Sequence, residues 1–441
     1  MACGACLCAA LVACGGDSAA DSGSGAGPAS DGGTGGLFAN ADPTAPRVHD
    51  RLADAGFTDG GVASLDPCER IVVRGMDLLF VVDDSASMIE EQQALRREFP
   101  ELIRVLTTGD RDGDGRPEFP GVEDLHLGVV SSDMGVVGTP GIGSCEGFGD
   151  DGVMQNTPSP SLSDCMAGYP RFLTYTAGVD DPAASARDFA CIASLGTEGC
   201  GYEQPLESAL KALWPSADDR VRFLTDATGD GGVGHGDVEN AGFARQAMGD
   251  EATVLAIVVV SDEEDCSSAV TTHFTPSVYL APEDPLAMQD LNLRCYHNPQ
   301  NLYVVQRYVE GFRQVRPGLE ELVVFGAIVG VPPDLVEPAA LAAVDFDDPA
   351  QRDAFYDAIL ADDRMQERPD PDTLTEGVPD LIPSCETDNG KAYPPRRFVE
   401  VARQFGQNGI VQSICQDDFG PAIDVIVSAI GRTVDQACIV E

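Results

Sequence analysis

The chain has 441 residues, and its 27 lysine and arginine residues stand against 73 aspartate and glutamate residues, which gives a formal net charge of −46 at pH 7. A surface this acidic repels nucleic acid and anionic lipid headgroups, so the composition argues against proteins that bind either of them electrostatically. Hydrophobic residues make up 43% of the chain, which is too much for a chain that is disordered throughout. The length leaves room for two or three domains.

The N-terminal residues are rich in cysteine and alanine. Leu11-Val12-Ala13-Cys14 resembles a bacterial lipobox, in which the cysteine becomes the acylated first residue of the mature protein. We therefore predict a signal peptide over 1–14 and a lipid on Cys14. No lysine or arginine precedes the apolar run, and the run is short for a signal peptide; a start codon further upstream would account for both departures. The alternative is a cysteine-rich stub that has no role in export.

Residues 15–65 are rich in glycine, serine, alanine and aspartate, a composition typical of a flexible linker. No later segment approaches the roughly 20 apolar residues that are needed to span a bilayer. Any membrane attachment would therefore be through lipid. We predict a secreted protein that is anchored in the bacterial cell envelope, on the outer membrane or facing the periplasm.

Ordered structure is predicted for residues 66–441. Apolar runs that predict buried strands lie at 74–82, 125–133, 253–262, 321–331 and 409–415. Segments with apolar residues near helical spacing lie at 87–106, 203–214, 301–315, 396–406 and 420–434. Pro100 predicts a break or kink in the first of these helices. Two long stretches, 134–200 and 332–392, are predicted to be insertions, the first of them irregular and tied by disulfides.

Fully apolar strands that alternate with amphipathic helices predict an α/β fold with a doubly wound, mostly parallel sheet covered by helices on both faces. In open sheets of this kind, ligands bind outside the carboxyl ends of the strands. Two acidic clusters, 83–87 and 262–265, follow predicted strands directly. We therefore expect the functional site of this fold to contain both clusters.

The first cluster, Asp83-Asp84-Ser85-Ala86-Ser87, has the pattern Asp-x-Ser-x-Ser. Placed after a buried strand, it resembles the metal-ion-dependent adhesion site of von Willebrand factor A domains. The resemblance implies that Asp83, Ser85 and Ser87 help to bind Mg²⁺ or Mn²⁺, ions that prefer hard oxygen ligands. The alternative is that these residues only cap the helix that follows, which would leave the second cluster unexplained.

The resemblance also implies the remaining ligands. The family's second aspartate ends a strand, where this chain has Asp262. The family's threonine precedes a helix, where this chain offers Thr197. The family usually continues with glycine after the second aspartate, whereas this chain continues with three carboxylates at 263–265. These could raise the cation affinity or disturb the usual geometry.

In this family the cation keeps one coordination position open for an acidic residue of a partner. The resemblance therefore implies a non-enzymatic protein that binds a protein ligand presenting an aspartate or glutamate. One alternative is a calcium-stabilised structural envelope protein whose site is vestigial. Another is a metal-dependent phosphohydrolase, which we favour less because the five histidines form no paired ligand motif and no Gly-x-Ser-x-Gly or His-Glu-x-x-His motif is present.

A second candidate cation site lies at 109–119. Asp110, Asp112 and Asp114 alternate ahead of Gly115, as in the first half of a calcium loop. Glycine stands at the position of the usual final glutamate, so Glu118 or a neighbouring carboxylate would have to complete the shell. We predict a Ca²⁺ site that rigidifies the loop; the alternative is a solvated acidic turn.

The 14 cysteines leave an even ten after Cys14. Their scattered positions predict disulfides in an oxidising compartment, since they form neither zinc nor redox Cys-x-x-Cys motifs. Pairing of sequence neighbours would give Cys145–Cys165, Cys191–Cys200, Cys266–Cys295, Cys385–Cys415 and a terminal pair Cys68–Cys438, among many alternatives.

Overall fold

A computed structural model describes residues 72–139, 142–245, 251–376, 379–387, 390–416 and 419–437. The predicted signal peptide, the predicted lipid on Cys14, the predicted linker and the predicted Cys68–Cys438 pair lie outside these residues. Within them, no helix is long and apolar enough to cross a membrane.

A six-stranded sheet forms the centre of the molecule. Its strands are β1 (Val72–Val82), β2 (Asp124–Ser131), β3 (Leu173–Thr176), β4 (Glu251–Val260), β5 (Val323–Val329) and β8 (Gly409–Ser413). Their order is β3-β2-β1-β4-β5-β8, with β3 antiparallel to β2 and every other pair parallel. The predicted α/β fold with a mostly parallel sheet is therefore confirmed. The strands β6 (Cys385–Thr387) and β7 (Gly390–Ala392) form a separate hairpin.

The helices lie along the connections between the strands. They are α1 (Ile89–Thr108), α2 (Pro182–Ile192), α3 (Pro205–Leu213), α4 (Arg294–His297), α5 (Gln306–Gln314), α6 (Pro333–Val336), α7 (Pro338–Ala342), α8 (Pro349–Ala361), α9 (Thr373–Glu376), α10 (Arg396–Gln404) and α11 (Gly420–Ala437). The helix α1 continues past Pro100, so the predicted break is not present. The sequence predicted an irregular stretch at 134–200. The structure corrects this prediction in part, because the stretch contains β3 and α2.

Helices cover both faces of the sheet. On one face α1, α2 and α11 pack over the even-numbered side chains of β1. Phe80 of β1, Phe99 of α1 and Phe189 of α2 meet there with ring centroids 4.7–5.5 Å apart in edge-on contacts. On the other face α3 packs against β1 and β2, and α10 packs against β5 and β8. Because β1 is buried on both faces, its sequence is a continuous apolar run rather than an alternating one.

Four disulfides tie the connections. The predicted pairs Cys266–Cys295 and Cys385–Cys415 are confirmed. The predictions Cys145–Cys165 and Cys191–Cys200 are wrong: the structure has Cys145–Cys200 and Cys165–Cys191. The reason is that α2 packs along α1 and β3, which brings the end of α2 back beside Cys165 and leaves Cys200 for Cys145.

The middle of β1 carries one charged side chain, Asp77, which is fully buried. Arg316, itself 2% exposed, forms an ion pair with Asp77 Oδ2, and Arg245 Nε donates to Asp77 Oδ1 at 2.6 Å. Arg316 also donates to the carbonyl of Thr253 in β4 at 2.8 Å. This buried cluster links β1 to the segments before β4 and β5.

We expect Asp77→Ala to lower the free energy of unfolding by about 3–5 kcal/mol, because it leaves the buried guanidinium of Arg316 without a counter-charge. The matched control is Asp334→Ala, which breaks an exposed ion pair with Arg364 and should cost about 1 kcal/mol or less. Chemical denaturation of both variants measures the difference. Equal losses would contradict the role assigned to the buried pair.

Candidate metal centre

The carboxyl ends of β1, β2 and β4 lie level with one another. Val82 is paired with Ser131 of β2 and with Val260 of β4. The residues that directly follow β1, β2 and β4 are therefore Asp83, Ser132 and Ser261, and these three lie side by side. The strand order reverses between β1 and β4, which is the point where open α/β sheets bind ligands.

The carboxylate of Asp83 is fully buried and held from three segments. Its Oδ2 accepts a hydrogen bond from the Ser261 hydroxyl at 2.6 Å. Its Oδ1 accepts from the Ser132 hydroxyl at 3.2 Å and from the backbone N–H of Ser85 at 2.9 Å. Asp83 therefore has a single fixed orientation at the centre of the site.

The two serines of the pattern face the same point. The hydroxyl oxygens of Ser85 and Ser87 are 3.1 Å apart, and the Ser87 hydroxyl lies near enough to the Asp262 carboxylate to lower its pKa against the effect of burial. The structure thus brings together four of the predicted ligands. It also rules out the capping alternative, because α1 begins after Met88 and has no side-chain cap.

The fifth predicted ligand, Thr197, lies half-buried on the loop before α3. The neighbouring Gly196 carbonyl accepts from Gln92 Nε2 at 2.8 Å, and the same Gln92 group donates to the Asp83 carbonyl at 2.8 Å. This loop therefore packs against the turn after β1. At the start of α3, however, it is Glu203 whose pKa is raised by burial and then by the charges of the Asp83 cluster.

Sequence reasoning missed Glu203, Ser132 and Ser261. Glu203 lies directly before Gln204, the N-cap residue of α3, and is 7% exposed. The signal for it was present, because a carboxylate opens the apolar helix predicted at 203–214. Ser132 and Ser261 each precede an aspartate after a buried strand, as "SSD" and "VSD".

Five carboxyl groups crowd this end of the sheet: Asp83, Asp84, Glu203, Asp262 and Glu263. Burial raises the pKa of Asp83, against the opposing hydrogen bond from Ser261. Burial and the charge of Asp83 raise the pKa of Asp84 and of Asp262 to about 8. Burial, and then other carboxylates, raise the pKa of Glu203 and Glu263 well above the usual range. Such a group needs either protons or cations to be stable.

The donor set fits a hard divalent cation. The Oδ1 atoms of Asp84 and Asp262 are buried, with no hydrogen-bond partner among the residues described. Hydroxyl and carboxylate oxygens are the ligands that Mg²⁺, Mn²⁺ and Ca²⁺ prefer. A cation bound by the two serines and Asp262 would satisfy the Asp262 oxygen, whereas the Asp84 carboxylate lies against Gly199 on the loop before α3.

The remaining carboxylates after β4 are paired. Both carboxylate oxygens of Glu264 accept from the backbone N–H of Arg397, the closer at 2.9 Å. Asp265 accepts from Arg397 Nε at 3.0 Å and from the N–H of Leu206 in the first turn of α3 at 3.0 Å. These two side chains hold α3 and α10 against the site and are not available to a cation.

At the predicted calcium loop, Asp110, Asp112, Asp114 and Glu118 converge. One ligand atom from each lies within 4.8 Å of those of the others. Glu118 accepts from the N–H of Arg111 at 2.6 Å. It thus supplies the fourth carboxylate of the group, in place of the glutamate that usually ends a calcium loop. In the described residues one further group, Cys266, His273 and Cys295, meets the same distance criterion, but its cysteines are paired as a disulfide.

Neither a comparison with protein-family models nor one with curated proteins finds a match to this chain.

The pKa shifts predict a specific pH dependence in excess chelator. The pKa of Asp84 and of Asp262 is about 8 in the folded chain and about 4 in the unfolded chain. The stability that they contribute is fully present below about pH 4 and is lost as the pH rises through about 8. We expect the free energy of unfolding to fall between about pH 5 and about pH 8, by about 1.4 kcal/mol per pH unit for each such proton.

Thermal unfolding across this pH range measures the effect. Asp262→Asn should make the fall shallower, since one of the titrating groups is gone, and excess Mg²⁺ should stabilise the wild type more at pH 8 than at pH 5. A wild-type profile that is flat with chelator present would contradict the burial of these carboxyl groups.

Proposed function

We propose that this chain is a von Willebrand factor A-like protein that binds a protein partner through a divalent cation at Asp83, Ser85, Ser87 and Asp262. The observation that carries the proposal is their convergence where the strand order reverses, with two serine hydroxyls 3.1 Å apart beside two buried carboxylates. Helix capping does not require this arrangement, whereas cation binding does.

In this proposal each group has one task. Ser85 and Ser87 supply neutral oxygens, while Asp83 is oriented by three hydrogen bonds. Ser87 is exposed, so the cation faces solvent on that side. The bound Mg²⁺ or Mn²⁺ supplies a positive charge at an open coordination position, where an aspartate or glutamate of the partner can bind.

The surroundings of the histidines support a binding protein over a zinc-dependent phosphohydrolase. His126 contacts the Phe243 carbonyl, His235 lies between Asp151 and Glu239, and His273 lies beside Cys295. In these contacts the three histidine side chains bind groups other than the carboxylates of the Asp83 cluster. We therefore propose that the chain is not an enzyme.

The lipid anchor and the linker complete the proposal. A lipid on Cys14 and a flexible segment over 15–65 would present the binding site away from the envelope surface. The alternative is a structural envelope protein stabilised by Ca²⁺ at 110–118, with a vestigial Asp83 site. The convergence of four carboxylates on that loop favours this alternative, and cation titration can separate the two.

We expect calorimetric titration with Mg²⁺ to detect a site that Asp83→Ala abolishes. Loss of Asp83, whose counterparts in the family bind the ion through water, should cost at least the roughly 10–100-fold in affinity that an outer partner contributes. Ser85→Ala should weaken the same site and any partner binding while the fold persists. Ser194→Ala, which removes a buried hydroxyl bonded to the Ala190 carbonyl, is the control. Unchanged Mg²⁺ binding by Asp83→Ala would move the structural alternative to first place.

We expect Ca²⁺ to raise the thermal midpoint through the 110–118 loop. At a concentration 100 times the dissociation constant, binding adds about 2.7 kcal/mol to the free energy of unfolding. Asp112→Asn with Asp114→Asn should remove this gain, whereas Asp219→Asn, an exposed aspartate outside the loop, should retain it. Retention of the full gain by the double variant would refute a calcium site in this loop.

A further inference from the structure

The disulfide between Cys266 and Cys295 lies against a buried histidine. The Nε2 atom of His273 is 3.4 Å from the Sγ atom of Cys295, and His273 is fully buried. The two sulfur atoms and a ring nitrogen of His273 all lie within 4.8 Å of one another. In the part of the chain that the structure describes, no other cysteine belongs to such a group of candidate ligands. Two sulfur atoms and an imidazole are thus collected at one place.

Contacts other than the disulfide hold these three side chains in position. The N–H of Ala269, three residues after the first cysteine, donates to the carbonyl of Asn301 at 2.8 Å. Arg294, which directly precedes Cys295 and is fully buried, donates through Nη1 to the carbonyl of His273 at 2.8 Å. These hydrogen bonds do not involve either sulfur atom. The side chains therefore remain close together when the disulfide is reduced.

The distance between the ligand atoms suits Zn²⁺. Tetrahedral zinc binds sulfur at about 2.3 Å and imidazole nitrogen at about 2.0–2.1 Å, which places these two ligands about 3.5–3.6 Å apart. The observed distance from His273 Nε2 to Cys295 Sγ is 3.4 Å. Two thiolates and a neutral imidazole also cancel the charge of the ion, so that the complex can be buried without a further counter-charge. Thiolate ligands favour Zn²⁺ over Mg²⁺ and Ca²⁺.

The second ring nitrogen of His273 has a partner that can orient the ring. Nδ1 lies 3.1 Å from the side-chain amide nitrogen of Asn301. Half a turn of this amide places its oxygen there instead, where it accepts from Nδ1–H. A histidine that binds a metal usually donates its other N–H to an oxygen in this way. The Nε2 lone pair is then directed to the side of the ring where Cys295 lies.

We propose that Cys266, His273 and Cys295 form a zinc site when their disulfide is reduced. A dithiol reductant breaks the S–S bond, becomes a disulfide itself and leaves two thiols on the chain. Zn²⁺ replaces the two thiol protons, which are released to solvent, and His273 supplies the third ligand. A water molecule takes the fourth tetrahedral position. Partly exposed Cys295 gives the reductant and the ion a route to the site, and bound zinc closes the 266–295 segment in place of the disulfide.

The experiment reduces the full chain with dithiothreitol, removes the reductant under nitrogen and adds Co²⁺ in the presence of excess Mg²⁺. We expect thiolate-to-cobalt charge-transfer absorption in the reduced chain, and its loss when Zn²⁺ displaces the cobalt. The oxidised chain should show none, because carboxylate ligands do not give this absorption. The comparison of the two oxidation states needs no variant.

The variant Cys266→Ser/Cys295→Ser should lose the absorption. The matched control is Cys165→Ser/Cys191→Ser, which removes as many thiols from another disulfide and should keep it. His273→Ala should weaken Zn²⁺ binding by about 100-fold or more, the upper end of what the loss of a hydrogen-bond partner of a ligand costs. Circular dichroism establishes which reduced chains fold.

Four results would each overturn the zinc site. The first is a folded, reduced wild type that shows no charge-transfer absorption. The second is absorption that persists in Cys266→Ser/Cys295→Ser, which assigns the metal to other thiols. The third is Zn²⁺ binding by His273→Ala that equals that of the wild type, which removes the histidine from the ligand set. The fourth is a reduced chain that unfolds and does not regain its structure with Zn²⁺.

Discussion

The hydrogen bonds to the Asp83 carboxylate determine the arrangement of this end of the molecule. Ser85, Ser132 and Ser261 reach it from the ends of three adjacent strands, and they can do so only because those strands end level with one another. A fully buried carboxylate without a basic partner is costly. At the strand ends this carboxyl group is therefore stable either as the neutral, protonated form or beside a cation, and the surrounding oxygen donors suit a divalent cation.

The charges of Asp77 in β1 and of Asp83, which directly follows β1, are compensated in two different ways. Both are completely buried. Asp77 is compensated within the chain by Arg316 and Arg245, and the result is a link between strands. Asp83 is surrounded by further carboxylates and neutral hydroxyls, so its compensation has to come from outside the chain. The first arrangement serves stability, whereas the second, in the proposed function, couples stability to the supply of cations.

The apolar runs predicted β1, β2, β4, β5 and β8 to within about three residues, because strands buried on both faces leave a strong signal. The edge strand β3 was missed, since only Leu173 and Tyr175 face the core and the segment lies among glycines and prolines. The same stretch led to two wrong disulfides, because their pairing depends on how α2 packs. Asp83, Ser85, Ser87 and Asp262 were predictable from their positions after strands. Glu203 left only a weak signal, a carboxylate at the start of a predicted helix, because its place beside Asp83 depends on the length of the disulfide-tied loop before α3.

The disulfides and the paired carboxylates explain how such a repulsive site remains assembled. Cys266 follows Asp265 directly and is joined to Cys295, while Asp265 bonds both α3 and Arg397 of α10. Cys200, three residues before Glu203, is joined to Cys145. Both segments that carry unpaired carboxylates are thus tied down within a few residues of those side chains. Repulsion can then move the side chains but not separate the loops. In the proposed function this reduces the conformational entropy that is lost when a cation binds.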